Sequence, residues 1–259
     1  MAIAGTTVTP EVRAGMGVFI GICTVLFAAC ATATFMLHDA MSAMGAMPMP
    51  GGWTLSMAWT RMCGQTWAGA AASFLGMWVV MMAVMMLPSL APVLWRVTAR
   101  PELFYAVAGI AYFCVWAMLG LAVFAPGAAL AALAMHWPAL ARAMPMLAGV
   151  VVLCAGALQF TEWKARQLAC CRYAPAMPAY TGAAWRYGLR LGLHCSYCCA
   201  GLTASLLAVG VMDLRVMAAV TAAITAERLA PAGARVAKGI GVVTVNAGVL
   251  LIARAAGLG

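Results

Sequence analysis

Long apolar runs broken by short polar stretches dominate the chain. A hydrocarbon core about 30 Å thick needs about 20 helical residues to cross it. Runs of that kind predict spanning helices over residues 15–37, 67–95, 103–125, 143–162, 191–212, 215–230 and 236–255. The sixth is short for a full crossing. Gly127–Pro138 is apolar but shorter still, and reads as an interfacial helix with His136 and Trp137 among the headgroups. Ala31-Thr32-Ala33 has the small-residue pattern of a signal-peptide cleavage site. The apolar run from Gly15 to Leu37 is too long for a typical h-region, however, and predicts a transmembrane helix. The expected fold is all-α: a polytopic bundle of about six or seven spans, one transmembrane domain over 1–259. No loop is long enough for a soluble domain, and no fixed-period repeat is visible.

Composition sharpens this. The chain is 66% hydrophobic and 8% charged, where soluble domains carry about 45–50% and about 25%. Contact with a lipid bilayer follows. A net charge of +9 would suggest nucleic acid in a soluble protein. Here the distribution of the charge accounts for it, and no nucleic-acid partner is expected. Arg96, Arg100, Lys164, Arg166, Arg172, Arg186, Arg190, Arg228, Arg235 and Lys238 fall in three loops on one side, with Arg13. Arg61, Arg142, Arg215 and Arg254 fall opposite. The positive-inside rule then makes the N-terminus cytoplasmic and the loop 38–66 external. A basic, cysteine-containing loop over 163–190 is cytoplasmic. The expected location is a bacterial inner membrane.

Four groups of residues carry candidate chemistry. In His194-Cys195-Ser196-Tyr197-Cys198-Cys199, Cys195 precedes the other two cysteines by three and four residues. Those offsets share one helix face, so the thiols converge. Cys170 and Cys171 lie in the preceding loop on the same side. Two or three thiolates suit Cu(I), whereas four, or three with His194, suit zinc. Arg172, Arg190 and the helix N-terminus would favour thiolates. Cys23, Cys30, Cys114 and Cys154 stand alone in apolar runs and read as small packing residues.

The second group is a methionine stripe. Met77, Met81 and Met85 repeat every four residues, with Met82 and Met86 beside them. Thioethers bind Cu(I) and also pack adaptably, and either role fits. Pro88 and Pro92 are expected to kink this helix. The third group is the external loop with His38, Asp39, Met41, Met44, Met47 and Met49, again open to copper capture or to packing. The fourth is intramembrane polarity at Gln159, Glu162, Glu227 and Asn246; such groups usually face the bundle interior, and Glu162 is open to that or to a place at the interface.

These residues, in order, resemble a family of bacterial predicted metal-binding integral membrane proteins defined by a domain of unknown function. The resemblance covers about residues 55–230. Trp78 and the run Met81-Met82-Ala83-Val84-Met85-Met86-Leu87-Pro88-Ser89 resemble the family's Trp…Ala-Met-Met-x-Pro segment. Ala155-Gly156-Ala157-Leu158-Gln159 with Lys164 resembles its Ala-Gly-x-Tyr-Gln…Lys segment. Cys171-Arg172, Gly192 to Cys199, Gly210-Val211-Met212 and Glu227-Arg228 resemble its remaining signatures. Gln167 stands where the pattern has a first loop cysteine, Cys170 is additional, and Tyr197 and Ala200 replace a Gly and a Trp. The resemblance implies metal binding and names no reaction.

Three functions remain open at this level. One is a Cu(I)-handling membrane protein for uptake, relay or delivery. Another is an accessory or structural subunit of a larger membrane copper enzyme, which would bring partner subunits or a homo-oligomer. The last is a membrane thiol oxidoreductase. No quinone or flavin motif supports an enzyme, and adjacent Cys198-Cys199 would make a poor disulfide.

Overall fold

A computed structural model describes residues 10–43, 45, 47–62, 64–95, 102–172, 180–211 and 213–257, without the side chains of 10–14, 102 and 172. Eight α-helices account for almost all of them: α1 Pro10–Ala43, α2 Trp67–Trp95, α3 Glu102–His136, α4 Pro138–Leu158, α5 Glu162–Arg172, α6 Thr181–Val209, α7 Leu214–Leu229 and α8 Gly233–Ala255. Six of these, all but α5 and α7, are long and apolar enough to cross a membrane. The protein is a multi-pass helical bundle.

Several boundaries move from those expected. The run 103–125 and all but the last two residues of 127–138 form one continuous helix, α3, with Pro126 inside it. An isolated proline in a long apolar helix need not end it, because neighbouring helices re-satisfy the freed backbone. Likewise α2 runs through Pro88 and Pro92 to Trp95. The basic stretch 163–190 is largely helical, comprising α5 and the first ten residues of α6. Arg186 and Arg190 interrupt the apolar pattern there, but both are exposed on α6 and cost the helix nothing. Residues 215–230 correspond to α7, which at 16 residues is too short to count among the six.

Lipid tails are as apolar as leucine, so helices here associate through close packing and polar contacts. Glycines provide the closeness. A Cβ at Gly156 would stand 2.6 Å from the Val245 amide nitrogen, and one at Gly248 2.6 Å from that of Leu153. These contacts lock α4 antiparallel to α8. Gly188 and Gly192 do the same between α6 and α3, where a Cβ at Gly188 would fall on the carbonyl oxygen of Ala108. There the two helices ascend together, so Tyr112 sits beside Gly192.

The segment between α1 and α2 forms a small cap. Strands β1 Met47–Met49 and β2 Trp53–Leu55 pair antiparallel across Gly51 and Gly52, at φ +102° and +76°. Only glycine enters that region readily. Met49 and Leu55 pack on Ala131, Ala134 and Ala141 at the α3–α4 corner, and Trp53 donates its indole N–H to the Ala141 carbonyl at 2.8 Å.

Candidate metal centre

The glycine seam that joins α3 to α6 also builds the site. Gly188, Gly192, Cys195 and Cys199 recur at intervals of three or four, so they share one face of α6. Cys195, Cys198 and Cys199 are all buried, and so is Cys171 at the end of α5. Their sulfurs form a chain. The Cys198 thiol interacts with those of Cys171 and Cys199. Cys199 Sγ lies 3.8 Å from Cys195 Sγ. Cys195 Sγ in turn lies 3.8 Å from Met86 Sδ on α2. Two sulfurs held about 2.3 Å from one ion at the tetrahedral angle stand about 3.8 Å apart, so the spacing is one a shared metal would need.

The polar groups around the sulfurs come from four helices. The Tyr112 hydroxyl donates to Cys195 Sγ at 2.9 Å. Arg228 Nη1 donates to the same sulfur at 3.2 Å and to Ser89 Oγ at 2.8 Å. Lys164 Nζ donates to the Cys198 carbonyl at 2.7 Å and pairs with Glu227 Oε2 at 2.6 Å. Glu227 is also hydrogen-bonded to Gln159. Burial alone would lower the Lys164 pKa, but the Cys198 sulfur and Glu227 outweigh it and hold the ammonium above its usual value. The Cys171 thiol is held well above its usual range by its hydrogen bond to Cys198 and by burial.

The expected donors divide clearly. Cys195, Cys198, Cys199 and Cys171 come together. Cys170 is exposed on α5, because neighbours on a helix point about 100° apart and only one can face the core. His194 is half-buried, with Nδ1 3.0 Å from Gln167 Oε1. Among the described residues, no three His, Cys, Asp or Glu side chains are arranged to hold an ion as a set. The converging donors are thiols and a thioether, which suit a soft ion.

Met77, Met81, Met82, Met85 and Met86 are all buried. Met86 reaches the cysteines, while Met77 and Met81 line a small apolar hollow with Thr34, Leu37, Val211, Leu214 and Met217. In the α1–α2 segment, His38 and Met41 are half-buried on α1, Met47 is exposed, and Met49 is spent on packing. Met44 lies outside the described residues.

Two of the polar residues do not face the interior. Glu162 is exposed in the first turn of α5. Asn246 faces out of the bundle, its amide donating back to the Val242 carbonyl at 2.8 Å. That bond satisfies one donor within the helix and removes part of the need for an interior partner. The source of positive charge also differs. Arg190 is exposed. The N-terminus of α6 lies 14 residues, about 21 Å, before Cys195, beyond the reach of its dipole. Arg228 and Lys164 are the cations beside the sulfurs, although Arg228 ends an apolar run and reads in sequence as a loop residue. Tyr112, Ser89 and Met217 carry no sequence signal of their own.

Residues 75–251 match the family described as PpoB2, copper chaperone. The chain belongs to the PpoB2 copper chaperone family. The match begins just before the methionine stripe and runs through both cysteine-bearing helices, so the family region of this PpoB2-type protein contains the whole sulfur chain. No curated protein and no solved structure matches the chain. The donor set fits the family's metal: buried sulfur, without carboxylate or water-facing ligands, is a soft environment suited to copper.

Proposed function

We propose that this protein is an inner-membrane chaperone that receives Cu(I) at the methionine-rich outer end and passes it to cysteines near the cytoplasmic face. The observation that carries the proposal is the Met86–Cys195 contact, which brings the last of the α2 methionines against the first of the α6 cysteines. Met77 to Met86 spans nine residues of helix, about 13.5 Å. His38, Met41, Met44 and Met47 are the proposed collectors. Cys199, Cys198 and Cys171 lie beyond Cys195 in the series, and exposed Cys170 is the proposed point of release. Thiolates hold Cu(I) more tightly than thioethers, so the donor gradient points toward the basic, cytoplasmic side. Each transfer exchanges ligands around Cu(I) without changing its oxidation state. A thiol that becomes a ligand gives up its proton to solvent or to the thiolate that releases the ion.

Whole-cell copper content tests the proposal. Deletion cells and cells carrying C198S/C199S are both expected to differ from wild type in copper content or copper tolerance. Unchanged content and tolerance in both strains would refute a role in copper movement.

A second reading, in which the protein serves a larger copper enzyme as an assembly subunit, draws on α1. This helix touches the rest of the bundle mainly through α2 and leaves most of its apolar length exposed. Co-purification of other chains in mild detergent, lost when α1 is removed, would favour it.

A further inference from the structure

Three charged side chains among the described residues are buried: Lys164, Glu227 and Arg228. Lys164 and Glu227 form an ion pair. Leaving the cysteines aside, these are two cations and one carboxylate. Arg228 is 2% exposed and keeps its charge at any physiological pH. Its Nη1 is satisfied by Ser89 and Cys195, but its Nε and Nη2 have no hydrogen-bond partner among the described residues. A buried charge without a counter-charge costs several kcal/mol, so a thiolate is favoured over a thiol at the sulfur that Arg228 touches. The sulfur it touches is the one that lies 3.8 Å from both Cys199 Sγ and Met86 Sδ.

We propose that Arg228 is the counter-ion of an anionic metal–thiolate unit, in which one monovalent soft cation is held by Cys195, Cys199 and the Met86 thioether. This deepens the proposed copper function and rests on it. The charges balance: a singly charged cation replaces two thiol protons, which leave to the buffer, and the resulting unit carries one negative charge. Arg228 neutralises it while Lys164 and Glu227 neutralise each other. A divalent ion on the same two thiolates is neutral and leaves Arg228 uncompensated. The site therefore selects Cu(I) and Ag(I) over Zn(II) by charge as well as by softness. Arg228 is a positioning residue: it touches the ligand sulfur and not the ion.

The test is competition between the purified full-length protein and a chromogenic Cu(I) chelator, with Ag(I) and Zn(II) in parallel, read beside thermal midpoints with and without metal. R228Q is expected to weaken Cu(I) and Ag(I) by at least about tenfold, the scale of one hydrogen bond to a charged group. Zn(II) should change much less, R228K should retain most of the affinity, and the metal-free midpoint of R228Q should not fall. Wild-type Cu(I) affinity in R228Q would overturn the proposal. So would a metal-free midpoint that falls alike in R228Q and R228K, which marks a purely structural role. If C195S/C199S also binds Cu(I) like wild type, the underlying copper assignment of the cluster fails, and that outcome is separate from either result at Arg228.

Discussion

Lys164 shows what single residues do in this site. Its ammonium is buried against Glu227 and the Cys198 carbonyl, so it fixes the backbone of α6 at the cysteines and joins α5 to α7. Removing one member of a buried pair strands the other. K164M is expected to cost about 3–5 kcal/mol, read as a lower unfolding midpoint in detergent. K164M/E227M should recover most of that loss, since a buried pair replaced by apolar groups is often neutral. Additive losses in the double variant would show that the two residues act independently. At this scale the sequence reveals the cysteines, because Cys195, Cys198 and Cys199 are close enough along the chain for helical geometry to bring them together. Their polar partners are hidden because they are distant in sequence: Tyr112 lies 83 positions from Cys195, and Ser89 lies 139 from Arg228. No local pattern records such pairs.

Among the elements, α6 is central, because one face holds both the seam to α3 and two of the thiols. Gly188 lets α3 approach closely enough for the Tyr112 hydroxyl to reach Cys195. G188A would gain up to about 1 kcal/mol of helix propensity, but its methyl would meet the Ala108 backbone, which cannot yield as a side chain does. A net loss of about 1–3 kcal/mol is expected. A methyl group at Gly76 on α2 would meet nothing within 4 Å, so G76A should be neutral or slightly stabilising. Comparing the two thermal midpoints checks the assignment, and equal effects would contradict it. Helix identity is legible from apolar run length, whereas helix ends are less so. Arg186 and Arg190 make α6 look ten residues shorter than it is, and Pro126 makes α3 look like two elements.

The whole molecule joins a methionine-rich end to a cysteine-rich interior through one helix, α2, with α6 and α7 closing around its inner part. Run lengths and charge asymmetry convey the bundle and the sidedness proposed for it. They do not convey that α7 is short enough to end beside the cysteines, carrying Glu227 and Arg228 into the interior at their level. The family match covers this core and links it to copper. Sulfur is the proposed holder of copper there. X-ray absorption at the copper edge, on purified full-length protein loaded with one Cu(I), reads the ligand atoms themselves. A shell of sulfur alone is expected in wild type, with loss of that shell in C195S/C199S. Nitrogen or oxygen ligands in wild type would contradict sulfur ligation, and an unchanged spectrum in the double variant would contradict Cys195 and Cys199 as its source.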